Sequence, residues 1–308
     1  MIYDVFVAIL ETFLIFGFGA WLRWKGILRE EMQDNLNRLA LDFFFPLLTF
    51  ATITGTFRAD DWGNMLILPA AGVVMIAIGA ALGFVFRSWL WCRTPERVRT
   101  FHHICAVNNY VFLPLIVLEH IGTERHIALL LVMNIGSTIG FWTCGMMTLN
   151  GKQSLRDTLR GIWSVNLAAV FVALFFAALQ IPVYAPLAQA IRRIGDLTVP
   201  FMLLLIGGSL LQCRGEFFLH KRDIAVVSLV RLVILPAIFA VLLWGIPLDA
   251  DVKLVLLVVA LMPMSCSSVL VVRRYGGSEG FAGQGVIVTT ILSLMTIPLL
   301  VWAFRYFS

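Results

Sequence analysis

The feature that most constrains this chain is a succession of ten apolar segments, each about the length of a membrane helix, joined by connections too short to hold a domain. The segments lie near 2–22, 38–56, 65–90, 101–119, 124–149, 162–181, 187–211, 224–246, 252–272 and 281–306. A helix of about 20 apolar residues spans a hydrocarbon core of about 30 Å. Ten such helices use most of the 308 residues. Composition agrees, with 60% hydrophobic and 13% charged residues, against about 25% charged in a soluble domain. The expected fold class is an all-α membrane protein of about ten transmembrane helices.

This reading excludes a fused kinase, ATPase cassette or extracellular receptor module. No Gly-x-x-x-x-Gly-Lys-[Ser/Thr] phosphate loop occurs, so any work is driven by gradients and no cofactor is implied. The start, Met1-Ile2-Tyr3-Asp4-Val5, has no basic residue before its apolar run, and the first segment is expected to stay in the membrane. The cysteines Cys92, Cys105, Cys144, Cys213 and Cys266 form no Cys-x-x-Cys pair, which argues against a disulfide framework or metal site. The net charge of +5 resides in short loops and implies membrane orientation, not a nucleic-acid partner. Odd-numbered connections carry sixteen Lys and Arg and even-numbered ones five. The odd loops are therefore expected in the cytoplasm, with both termini outside a plasma (inner) membrane that the chain crosses many times.

The two halves, 1–150 and 151–308, echo each other. Asp42 with Pro46 and Asp196 with Pro200 are both 154 residues apart, and Pro114 and Pro263 are 149 apart. A five-helix unit is odd in number, so a second copy enters the membrane upside down and produces an inverted repeat. In the fourth segment, Asn108 and Asn109 precede Pro114; in the ninth, Pro263 precedes Ser265, Cys266, Ser267 and Ser268. Proline breaks the helical ladder, and broken helices at membrane depth survive only where protein or a water-filled cavity satisfies the backbone. Two such breaks at matching places would offer amides, carbonyls and hydroxyls to a carboxylate. Simple proline kinks are the plainer alternative.

At these residues the chain resembles the auxin efflux carrier family, which includes plant auxin exporters and bacterial malate or malonate permeases. The likeness extends through Trp142-Thr143-x-Gly145, Val199-Pro200, Ile206-Gly207-Gly208-Ser209-Leu210, Arg231-Leu232 with Pro236, Tyr275-Gly276 and Ile297-Pro298-Leu299. Two positions depart from the family pattern: Pro114 follows Asn109 two residues early, and Asn166-Leu167 stands where Asn-Pro is usual. The resemblance implies a scaffold of helices one, two, six and seven, and a transport domain of the rest. Helices four and nine would be broken and cross at the substrate, lined by Asn108, Asn109, Pro114, Pro263, Ser265, Cys266 and Ser267. It also implies elevator-like alternating access and a homodimer through the scaffold.

Ionisable residues inside a membrane helix are functional suspects, since an acid there costs about 2.5–3.5 kcal/mol on insertion scales. Asp42 is the first candidate to bind a coupling proton, with an acid at a helix end as its alternative; Glu11 is the second, with a structural ion pair as its alternative. Arg231 could neutralise an anion, although snorkelling toward the cytoplasm is the simpler expectation. His102 and His103 read as interfacial anchors. The polar stripe Asn134, Ser137, Thr138 and Trp142 suits either a pathway or helix packing, and Gly79-x-x-x-Gly83 and Gly136-x-x-x-Gly140 are close-packing motifs. The leading reading is a carrier of small organic anions, mono- or dicarboxylates, with the bilayer as its other partner. A passive anion channel and a sensor on a transporter fold are the alternatives. An intramembrane hydrolase built on Ser209, Ser265 or Ser267 lacks a histidine in segments seven to ten and any Gly-x-Ser-x-Gly; an enzyme is not expected.

Overall fold

The computed structural model describes residues 2–57, 63, 66–150, 154–210 and 221–307. Arg58, Lys152, Cys213, Arg214 and His220 lie outside the described residues. Each apolar segment is built from helix. They begin with α1 (Ile2–Trp24), then α2 (Glu30–Leu39) and α3 (Phe45–Thr56) joined by a π turn at Ala40–Phe44, and α4 (Ile67–Phe86). The fourth segment is α5 (Pro95–Ala106) and α6 (Phe112–Ile121), and the fifth is α7 (Glu124–Gly140), a π turn at Phe141–Gly145 and α8 (Met146–Asn150). The second half starts with α9 (Leu155–Ile162) and α10 (Val165–Ala178), bent by 59°. It continues through α11 (Ala185–Gly195), α12 (Thr198–Leu210), α13 (Lys221–Leu229), a π turn at Val230–Ile234 and α14 (Leu235–Gly245). It closes with α15 (Ala250–Ala260), α16 (Ser267–Arg274) and α17 (Glu279–Phe307).

Among the described residues Glu31–Thr56, Ile67–Trp89, Glu124–Leu149, Lys221–Gly245 and Glu279–Leu300 are continuous helical stretches long and apolar enough to cross a membrane, and the bent α9–α10 pair makes a sixth if it is counted as one span. Phe18, Trp24 and Trp244 are 61%, 70% and 80% exposed, an apolar surface suited to hydrocarbon rather than water.

Local chemistry explains many of the boundaries. The Ser154 and Ser164 side chains accept from the amides of Asp157 and Leu167 and start α9 and α10. Proline stands in the first turn of α3, α5, α11 and α14, where no amide donor is needed. Pro46 and Pro236 each lie two residues beyond a π turn. A proline ring clashes with the carbonyl four residues earlier, here Asp42 and Leu232, and the helix opens into a wider turn around it.

Glycine sets how closely the helices approach. A Cβ on Gly136 would sit 1.7 Å from the Pro69 carbonyl oxygen, so α7 lies directly against the backbone of α4. A Cβ on Gly79 would sit 2.6 Å from the Cys105 oxygen, which seats α4 against the end of α5. The expected close-packing role of both Gly-x-x-x-Gly motifs is realised in these contacts. Asn134 and Ser137 are buried with them, so this end of the polar stripe serves packing. Elsewhere α1 packs on α12, and Thr49 of α3 donates to the Asn166 Oδ1 of α10 at 2.7 Å. The largest apolar core gathers α6, α7 and α15, which support the two breaks.

Candidate functional site

The fourth and ninth segments are interrupted at 107–111 and 261–266, and the two interruptions meet. Asn108 and Met264 form an isolated antiparallel bridge, and the Asn109 amide donates to the Pro263 carbonyl at 2.9 Å. A short piece of extended backbone thus replaces the hydrogen bonds that each helix loses at its break. Pro114 stands in the first turn of α6, after the interruption, where its missing donor removes no helical bond. Pro263 lies within the second interruption and is buried.

Asn108 is 1% exposed. Its Nδ2 donates to the Val259 carbonyl at 2.7 Å, near the carboxyl end of α15, and lies 3.8 Å from the Met75 sulfur. The Asn109 Oδ1 accepts from the Leu113 amide at 3.4 Å, near the amino end of α6. Ser265 and Ser267 share a hydroxyl hydrogen bond of 2.7 Å, and with Cys266 they are the more accessible members, Ser267 being exposed. The structure therefore brings the two asparagines and the Pro263–Ser267 segment to one crossover, with its asparagines buried and Ser265 and Ser267 more accessible.

Asp42 and Glu11 pair with residues outside this cluster. Asp42 is exposed in its π turn and pairs with Arg38 one helical turn earlier, at 3.9 Å. Glu11 pairs across to α6, where its Oε2 lies 3.1 Å from His120 Nε2. Near that end, Thr52, Glu119, Glu124, Arg192 and Asp196 help line a 240 Å³ cavity, and Arg192 of α11 binds Glu124 of α7. None of the crossover residues lines that cavity.

Sequence reasoning placed two residues wrongly. Arg231 does not snorkel: it is 0% exposed. Its Nη1 donates to the Cys105 carbonyl at 3.1 Å and its Nε to the Met262 carbonyl at 3.4 Å, so it touches both interrupted segments. His103 is buried too, with Nδ1 2.9 Å from the Gly145 carbonyl in the π turn of the fifth segment. Thr289 of α17 was missed altogether; its hydroxyl accepts from the Met264 amide at 3.3 Å. The Thr289-Thr290 pair in an apolar helix gives no sequence signal of that duty. Among the described residues no three His, Cys, Asp or Glu side chains converge on a metal-sized site.

The chain is 22% identical over 298 residues to an uncharacterized transporter of Methanothermobacter thermautotrophicus, covering 94% of this chain and 95% of that protein. It is 22% identical over 371 residues to Protein PIN-LIKES 1 of Arabidopsis thaliana, covering 96% of this chain and 77% of the plant protein. Residues 4–301 match the model of the family described as membrane transport protein. With nearly its whole length matched, the chain belongs to this membrane transport family, that of the auxin efflux carriers.

Proposed function

We propose that this membrane transporter is a secondary carrier of small organic anions, mono- or dicarboxylates of auxin-like or malate-like size, that exports or exchanges them by elevator-type alternating access. The observation that carries the reading is the crossover itself, where the Asn109 amide meets the Pro263 carbonyl between α5 and α6 on one side and α15 and α16 on the other. The amino ends of α6 and α16 supply amide donors and positive potential suited to a carboxylate. Asn109, Ser265 and Ser267 add side-chain groups to orient it, with Asn108, Pro114, Pro263 and Cys266 shaping the surroundings.

In this reading 1–150 and 151–308 are inverted five-helix repeats, ten helices in all, in a plasma membrane with both termini outside. The first, second, sixth and seventh segments form the scaffold, through which two copies dimerise. Asp42 and Glu11 are the residues to examine for proton coupling. Glu11 has the stronger geometry, because its His120 partner belongs to the half-helix that would move.

The test is uptake of a labelled carboxylate panel into proteoliposomes, with and without an inward-directed proton gradient, beside Asn109→Ala. Saturable accumulation of one acid, lost in the variant, supports the carrier. Non-saturating flux that never exceeds equilibrium identifies a channel, and no flux of any acid into vesicles holding folded protein rejects the substrate class.

A further inference from the structure

Arg231 is a fully buried cation with no acidic partner among the described residues. Its Nε and Nη1 bond to the Met262 and Cys105 carbonyls, its Nη2 has no hydrogen-bond partner, and no ion pair to it occurs among the described residues. A buried charge needs compensation. Here the compensation comes from backbone, because α5 and α15 both end beside the guanidinium and each carboxyl end of a helix carries about half a negative charge. Together they offset one cation.

The amino ends of α6 and α16 begin on the far side of the same two interruptions, each with about half a positive charge. With the arginine absent, the four ends would nearly cancel, and an anion at the crossover would meet little net field. With it present, the carboxyl ends are neutralised and the amino ends are left unopposed.

We propose that Arg231 is a positioning residue that sets the charge selectivity of the crossover: by neutralising the carboxyl ends of α5 and α15, it leaves a net potential that admits one compact negative charge, such as a single carboxylate. This rests on the carrier reading for its biological meaning, but not for its electrostatics. Arg231 reaches no substrate in this account; it acts through the backbone it holds.

Cys266 precedes α16 and is half-buried, which makes it a native charge probe. It is four residues from Met262, so its Cα lies within about 15 Å of the carbonyl that Arg231 holds. In protein whose other cysteines are replaced by serine, the thiolate would be reacted with a sulfonate-bearing and a trimethylammonium-bearing methanethiosulfonate. Each forms a mixed disulfide and releases methanesulfinate. The readout is the ratio of anionic to cationic reagent rates, divided by the same ratio for a small free thiol.

The ratio should exceed one in the parent protein, fall about tenfold in Arg231→Gln and stay within about threefold of the parent in Arg231→Lys. A parent ratio at or below one overturns the proposal without any arginine variant, so a failure of Arg231→Gln to fold does not shield it. If Arg231→Gln folds and changes both rates equally, Arg231 is a tether only and the proposal is wrong. Carboxylate uptake measured in parallel separates the two readings. The expected ratios with no acid transported retain the charge assignment and reject the carrier; saturable uptake with unresponsive ratios does the reverse.

Discussion

Asn108 and Asn109 are neighbours with opposite duties, and truncating each should separate stability from transport. In Asn108→Ala the Val259 carbonyl loses the amide that now lies 2.7 Å away, in a place that is 1% exposed. The carbonyl keeps the Met262 amide at 3.2 Å, so the loss is that of one hydrogen bond, about 0.5–1.5 kcal/mol, and the space left by the amide adds about 1 kcal/mol. A total of about 1.5–2.5 kcal/mol corresponds to a fall in melting temperature of about 3–5 °C. In Asn109→Ala the cross-link to Pro263 survives, because it uses the backbone amide. The side-chain bond that is lost, to the Leu113 amide, is 3.4 Å long, so less than about 1 kcal/mol and about 2 °C should go with it. Thermal unfolding of the purified protein, followed by tryptophan fluorescence, gives both shifts. Asn109→Ala should nevertheless lower carboxylate uptake at least as much as Asn108→Ala does, per folded molecule. Equal melting shifts, or a larger one for Asn109→Ala, would refute the division of labour drawn from these hydrogen bonds.

Gly136→Ala should destabilise by at least about 1–3 kcal/mol, since the new methyl meets the Pro69 carbonyl at 1.7 Å, whereas Gly17→Ala, with nothing within 4 Å, should be stabilising by about 0.5–1 kcal/mol; melting temperatures of the pair check this. Asp223→Ala should cost about 3–5 kcal/mol, because it strands the buried Arg97 guanidinium 3.7 Å away and releases the Trp91 amide, while Arg97→Met with Asp223→Leu should cost less; a double-mutant cycle measures the difference. Cys92 lies between α4 and α5, and the Arg97 guanidinium holds its thiol below the ordinary range by stabilising the thiolate. Its maleimide labelling should therefore reach half-maximal rate at a lower pH than a model thiol, and Arg97→Met should return the profile toward the ordinary value. On the orientation argument an impermeant maleimide added to intact cells should leave Cys92 unlabelled; labelling from outside would reverse the assigned topology.

The apolar periodicity made the helices legible, and Asn109-x-x-Phe112 with Pro114, and Pro263 with its serines, marked where two of them stop. Those signals are local: a missing donor or a small polar cluster acts within a few residues. What the sequence could not disclose was partnership across the fold. Arg231 bonds to residues 126 and 31 positions away, Glu11 to one 109 away, and His103 to one 42 away. Hydropathy treats a charge in an apolar run as either a membrane cost or a snorkelling side chain, and two helix carboxyl ends able to receive a guanidinium appear only once the chain is folded. The prolines that follow the π turns were visible, whereas the widened turns were not, because a proline can equally kink a helix or begin one.

The turn at Val230–Ile234 works as a phase shifter. An α-helix advances about 100° per residue, so the additional residue accommodated in a π turn rotates everything beyond it by about that angle relative to an unbroken helix. α13 can therefore present one face to α5 and α17 while α14 presents another to α15, all within one continuous rod. Arg231 sits inside the shifter, at the point where the two facings are reconciled. Deleting one residue there, or relaxing the turn by replacing Pro236, would do more than straighten a bend: it would misgear the two ends of the rod, and the guanidinium could stay with its two carbonyls only if one of those faces turned away from its neighbours.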